Sequence, residues 1–152
     1  MPFDEDQVNE SAPLALQYGV LPWRQSATYG PQVLLVTSRI SRKWLLPKGW
    51  LIPGLSSTDS ACREAFEEAG VEGEVGAALG QYGYIKITRS GRQVPCSVTL
   101  FGLRVHRLLR SWPEREQRTR RWFALHKAPE MVTEPGLREL LAGLDRDAFP
   151  RD

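Results

Sequence analysis

Apolar positions along the chain fall into short runs broken by Gly, Pro and charged turns, and two stretches carry helical spacing. Ala15 to Trp23 reads as a strand that Gly19 and Pro22 can bend or end. Gln25 to Pro31 is a turn. Gln32 to Thr37 contains Val33-Leu34-Leu35-Val36, a continuous apolar run suited to a strand buried on both faces. A basic turn, Arg39 to Lys43, leads to a short strand at Trp44-Leu45-Leu46. Glu72 to Ile87 alternates weakly, Ser90-Gly91 marks a hairpin, and Val94 to Val105 is the partner strand. Leu108 to Thr119, with Trp112-Pro113, reads as a loop, and Arg121 to Leu125 as another short strand. Leu137, Leu140, Leu141 and Leu144 recur at i, i+3, i+4 and i+7, which predicts a C-terminal helix over Glu134 to Leu144. Strands before and after a central helix, with a second helix at the end, predict an α+β sandwich with a mixed sheet between helices.

The central helix is the most strongly specified element. Pro47 to Leu55 is a Gly- and Pro-punctuated loop. Ser56 follows as an N-cap, with Asp59 as a weaker capping-box acid, and Gly70 is placed to end the helix at its C′ position. On a helical wheel Ala61, Cys62, Ala65, Phe66 and Ala69 fall within roughly 140° and form an apolar face. Cys62 is thereby expected in the core. Glu64, Glu67 and Glu68 group on the other side, within roughly 100°. Like charges at i,i+4 cost a helix about 0.2–0.5 kcal/mol per pair, so Glu64–Glu68 calls for compensation. Arg63, four residues before Glu67, supplies little, because this order is the less favourable one. A solvated acidic face is one explanation. The other is a divalent cation, since carboxylates are the hard oxygen ligands that magnesium or manganese prefers.

Composition narrows the setting. With 152 residues, 41% of them hydrophobic and 25% charged, the chain suits one ordinary globular domain, expected at 13–148 behind an acidic N-terminal tail at 1–12. No apolar run approaches the roughly 18–20 residues of a membrane helix, and the acidic N-terminus does not resemble a signal peptide. Two cysteines, Cys62 and Cys96, make no disulfide framework, so cytoplasm is the expected location. Net charge is only +2, but Lys86 to Arg121 is rich in Lys and Arg against two acids, Glu114 and Glu116. That stretch could attract polyanions, although no nucleic-acid motif accompanies it. His106 and His126 have no local support for a zinc site or a Ser/His/Asp arrangement.

From Gly49 the chain reads Gly, five residues, Leu55, seven residues, then Arg63-Glu64-Ala65-Phe66-Glu67-Glu68-Ala69-Gly70-Val71. This resembles the Nudix hydrolase motif, Gly-x5-Glu-x7-Arg-Glu-U-x-Glu-Glu-x-Gly-U with U apolar. One fixed position departs: Leu55 stands where the family has a glutamate. The phrases Val33 to Arg39, Trp44 to Gly49 and Arg121 to Phe123 look like the diadenosine polyphosphate and diphosphoinositol polyphosphate phosphohydrolase branch.

The resemblance implies an α/β/α sandwich with the motif as loop-helix-loop. It also implies hydrolysis of a phosphoanhydride bond in a nucleoside diphosphate derivative, dinucleoside polyphosphate or diphosphoinositol polyphosphate, dependent on Mg2+ or Mn2+. By position, Glu64, Glu67 and Glu68 are the expected metal ligands and catalytic residues, with the Gly49 carbonyl as a further ligand. Arg63 is expected to orient a motif glutamate. Arg39 and Lys48 flank the motif loop and are expected to contact phosphate, with Arg24 and Arg121 as weaker candidates. A general base outside the motif has no positional match; Glu114, Glu116 and Glu134 are candidates. Two other readings stay open. Leu55 supports a Nudix-like module that binds a nucleotide or polyphosphate without cleaving it, and the basic stretch supports an RNA-end-processing protein. The expected partner is a small-molecule polyphosphate rather than a membrane or nucleic acid, and the sequence leaves the oligomeric state open.

Overall fold

The computed structural model describes residues 14–151. The expected tail at 1–12 lies outside the described residues. Strands β1 (Ala15–Ser26), β2 (Gly30–Thr37), β3 (Trp44–Leu45) and β4 (Lys48–Trp50) precede helix α1 (Ser57–Ala69). The long strands β5 (Val71–Ile87) and β6 (Gln93–Leu108) follow, then β7 (Arg120–Ala124), α2 (Ala128–Met131) and α3 (Pro135–Gly143). The strands form one mixed sheet in the order β3-β2-β1-β6-β5, with β4 paired to β1 and β7 to β2. Among the described strands β1–β6 is the one parallel pair; the other pairs are antiparallel.

The apolar runs are explained by burial on both faces. Val20, Leu34, Val36 and Leu103 pack with Ala61, Ala65 and Ala69 of α1. Their neighbours Leu21, Val33, Leu35 and Leu100 point the other way, onto Ala128, Leu137, Leu141 and Phe149. Alternating residues of one strand thus feed two cores, as period-2 geometry requires. Alanine at i, i+4 and i+8 gives α1 a flat contact stripe, so its backbone lies close to the sheet. Phe149 is fully buried and meets Trp23 edge-on at 5.4 Å, so the packed chain runs on past α3.

Three local differences from the sequence pattern have physical causes. β1 continues through Gly19 and Pro22 to Ser26. Gly19 is needed there because a Cβ would lie 2.7 Å from the Pro47 carbonyl. The loop after Leu46 contains β4, a short strand that exists only by pairing with Gln17–Gly19 of β1. Cys62 packs against the edge of the core and is only half-buried, because α1 covers the sheet with its alanines and leaves Cys62 and Phe66 towards its flank.

The sheet is forked, and the fork positions the site. β2 pairs with β1 only over Gly30–Val33, and further on it pairs with β3. β1 meanwhile pairs with β4 at its other end. The segment carrying β3 and β4 therefore wedges between the splayed strands, held by Val20 N–H donating to the Pro47 carbonyl at 3.2 Å.

Candidate active site

The capping pattern of α1 forms as the sequence predicts. The Ser56 hydroxyl accepts from the Asp59 N–H at 3.1 Å. Gly70 closes the helix at φ 65, in the left-handed region, with its N–H on the Phe66 carbonyl. Gly70 also makes room: a Cβ there would lie 2.7 Å from both the Trp112 ring and the Arg120 guanidinium. Those two side chains stack on one another at 3.9 Å. Trp112 donates its indole N–H to the Glu68 carbonyl at 3.0 Å, and Arg120 donates to the Ala69 carbonyl at 2.8 Å. The otherwise unpaired carbonyls at the end of α1 are thus satisfied from a distant loop, with a cation at the negative end of the helix.

That loop brings the far half of the site. The Glu114 N–H donates to the Glu67 carbonyl at 3.0 Å, which sets Glu114 beside the acidic face of α1. A cavity of about 400 Å³ opens at the sheet fork, lined among others by Lys48, Gly49, Glu64, Glu68, Glu114 and Arg118. Arg39, Lys86, Gln17 and Trp50 also line it. Gly49 lies so close to Glu64 that a Cβ would sit 2.6 Å from the Glu64 carboxyl carbon.

Electrostatics follow from crowding. Glu68 is 5% exposed, and burial together with a hydrogen bond to Glu64 pushes its carboxyl well above the usual range. Arg118 offsets this in part, with a nitrogen 3.6 Å from the Glu68 carboxylate. Glu64 is also raised, chiefly by burial. Lys48 lies over the Tyr84 ring at 4.7 Å, and burial lowers its pKa against the opposing pull of Glu68. Tyr84 in turn donates to the buried Gln17 side chain at 2.5 Å.

The sequence-derived residues divide into those inside the cavity and those outside it. Glu64, Glu68, Gly49, Lys48 and Arg39 line it together. Glu67 stands beside it, half-buried, and contributes its backbone carbonyl to hold Glu114. Arg63 is exposed on the opposite flank of α1, in a separate groove with Leu55, Cys62, Phe66 and Leu103. Leu55 thus faces that groove, away from the acidic cavity. Arg24 is committed elsewhere, bonded to Gln32 at 2.9 Å and stacked on Trp122 at 4.2 Å. Arg121 lies over Trp44 at 5.7 Å and is not among the lining residues. Among the three acids outside the motif, Glu114 enters the cavity; Glu116 and Glu134 do not line it. Arg118, Lys86 and Gln17 carried no motif signal. The i,i+4 spacing of Glu114 and Arg118 was the one local hint.

The donor set fits a divalent cation in part. Two buried carboxyls in hydrogen-bond contact are both pushed above the usual range, and a hard cation held there would relieve that crowding. Among the described residues no group of three His, Cys, Asp or Glu side chains is already gathered to hold a metal. Magnesium often uses only one or two carboxylates plus substrate phosphates, so the Glu64–Glu68 pair meets its usual protein requirement.

This fold and this motif-bearing cavity define a Nudix-type domain, and comparison with known proteins agrees. The NUDIX domain family matches residues 17–144, so the chain belongs to that family. It is similar to "Nudix hydrolase 16, mitochondrial" of Arabidopsis thaliana, 34% identical over 72% of this chain and 63% of that protein. It is also similar to "Diphosphoinositol polyphosphate phosphohydrolase 3-alpha" of Mus musculus, 34% identical over 66% of this chain and 60% of that protein. The chain spans less than two thirds of the length of these relatives. The Ap4A hydrolase of C. elegans shares the fold, with a TM-score of 0.61, 20% identity, and coverage of 85% of this chain and 94% of that one.

Proposed function

We propose that this chain hydrolyses a phosphoanhydride bond of a polyphosphate, with a dinucleoside polyphosphate, diphosphoinositol polyphosphate or nucleoside diphosphate derivative as substrate. The observation that carries this is the meeting of Glu64, Glu68 and Glu114 with Lys48, Arg39, Lys86 and Arg118 in one cavity. Cations suit a polyanion, and carboxylates suit a cation and a water. In the reaction, water attacks phosphorus, the anhydride P–O bond breaks, and the bridging electron pair leaves with the departing phosphate. Glu114 or Glu64 accepts the proton of the attacking water. Lys48 and Arg39 hold phosphate oxygens, with Arg24 and Arg121 too far committed to neighbouring rings to take first place. A magnesium or manganese ion bound by Glu64, Glu68 and the Gly49 carbonyl, with Glu67 as a further ligand, would neutralise phosphate charge and lower the pKa of bound water.

The relatives' names support this choice of substrates, since one acts on a diphosphoinositol polyphosphate and one solved neighbour on Ap4A. Binding without cleavage is the second reading, motivated by Leu55 in the glutamate position. The location of Leu55 in a separate groove weakens it. An RNA-end role loses its main motive, because much of the basic stretch has internal partners. Arg104 stacks on Trp23, Arg107 pairs with Glu72, and Arg118 and Arg120 tie the loop to α1. Among the described residues no helix is long and apolar enough to cross a membrane. Cytoplasm is the proposed setting. The test is a magnesium-dependent hydrolysis screen with product identification across these three substrate classes. Release of defined phosphoanhydride products supports the proposal; binding without turnover at high magnesium selects the second reading.

A further inference from the structure

Arg118 is a cation built into the acidic end of the cavity. Its side chain is 10% exposed, and it reaches Glu114 on its own loop, Thr37 at the end of β2 and Glu68 of α1. Its Nε donates to Glu114 at 2.9 Å and one terminal nitrogen donates to the Thr37 carbonyl at 3.0 Å. The other terminal nitrogen lies 3.6 Å from Glu68, an ion pair longer than a hydrogen bond. Glu114 and Thr37 therefore pin the guanidinium in place, while Glu68 feels its charge. A planar fork of donors spans such a set; a lysine ammonium is a point charge and holds the charge without the span.

The loop is also held by contacts that do not involve Arg118. Arg42 donates to the Gln117 carbonyl at 3.0 Å and to the Thr119 hydroxyl at 2.8 Å. The Thr119 N–H donates to the buried Thr37 hydroxyl at 2.9 Å, and Trp112 and Arg120 hold the other end. To these contacts Arg118 adds a fixed charge beside Glu68.

We propose that Arg118 is a fixed internal counterion that competes with a divalent cation for Glu68, so that the site takes the cation weakly until a polyanion shares the cavity. A positive charge held 3.6 Å from one ligand carboxylate opposes a second positive charge on the same carboxylate. A polyphosphate among Arg39, Lys48, Lys86 and Arg118 would offset that opposition. Cation and polyanion then raise each other's affinity by the same factor. The second half of the proposal rests on the phosphoanhydride reading of the cavity; the first half does not.

The test is Mn2+ binding to the full chain by titration calorimetry after chelator treatment, for wild type, Arg118→Gln and Arg118→Lys, with and without imidodiphosphate. Arg118→Gln is expected to bind Mn2+ alone at least about tenfold more tightly than wild type, whereas Arg118→Lys stays within about threefold, because it keeps the charge. Imidodiphosphate is expected to tighten Mn2+ binding to wild type by about tenfold or more, and Arg118→Gln by much less. Equal or weaker Mn2+ binding by Arg118→Gln overturns the proposal. Should Arg118→Gln fail to fold, a tenfold change in Arg118→Lys overturns it instead. If imidodiphosphate does not bind wild type, the polyphosphate reading falls, while the Mn2+ comparison still decides the role of Arg118.

Discussion

Gly49 and Glu64 are in direct contact across the β4–α1 junction: a Cβ on Gly49 would lie 2.6 Å from the Glu64 carboxyl carbon and 2.9 Å from its Oε1. The glycine is required by the carboxylate it faces, and not by its own backbone angle. Gly49→Ala is therefore expected to push Glu64 out of the cavity. Activity should drop by about 10–100-fold, the scale typical of disturbed metal-site support, while α1 still folds. Steady-state kinetics with circular dichroism checks this; unchanged kinetics would show that Glu64 is dispensable where it sits.

The raised carboxyls make a pH prediction with a definite sign. Glu64 and Glu68 bind protons more tightly folded than unfolded. Their contribution is fully present below the ordinary carboxylate pKa and is lost as pH rises through their raised folded values. Metal-free protein is thus expected to lose stability as pH rises through this range. Glu68→Gln, which removes the charge, should flatten the loss. Urea midpoints measured across pH in chelator decide this; a wild-type protein that gains stability over that window through these groups contradicts it.

The C-terminal end of α1 gives a structural prediction. Gly70→Ala places a Cβ against Trp112 and Arg120 at a left-handed φ. The backbone alone costs about 1–2 kcal/mol, and displacement of the Trp112–Arg120 clamp adds to it. The same variant should slow turnover, because the clamp also holds the loop that carries Glu114. By contrast Ser56→Ala, at the other end of α1, should cost about 0.5–2 kcal/mol of stability with little effect on turnover. Denaturant unfolding paired with kinetics separates the two ends.

These contrasts show where the sequence was informative. Ser56, Asp59, the alanine stripe and Gly70 act within one helix, so α1 and its boundaries were legible from local spacing. Val33 to Val36 announced a strand with two buried faces for the same reason. The surroundings of Glu68 were not legible, because Trp112 on its carbonyl and Arg118 on its carboxylate arrive from a loop more than forty positions away in sequence. Glu114 could be named as a candidate but not chosen over Glu116 or Glu134, since the bond from its N–H to the Glu67 carbonyl and its pairing with Arg118 set it in the cavity. Arg24 and Arg121 looked like phosphate contacts on charge alone, while Trp122 and Trp44 decide where their guanidinium groups lie. The basic stretch looked like one surface feature and is instead divided among a sheet strand, a helix clamp and the cavity.

Leu55 yields a prediction because it lies outside the cavity. Leu55→Glu puts a carboxylate into the groove near Arg63, Cys62 and Phe66. From this position it is expected to change the magnesium requirement by less than about threefold, well short of the 10–100-fold effect of residues that directly support a metal site. A magnesium titration of turnover checks this; a large fall in the concentration needed for half-maximal rate would show that position 55 reaches the metal.

The Glu64–Glu68 pair in the sheet-fork cavity is proposed to carry phosphoanhydride hydrolysis. This is tested most directly by product-resolved turnover of diadenosine tetraphosphate and a diphosphoinositol polyphosphate, with magnesium, by wild type, Glu64→Gln and Glu68→Gln. Wild type is expected to cleave at least one of them, and each folded variant to lose about 10–100-fold or more. Near-normal turnover in both folded variants would contradict it.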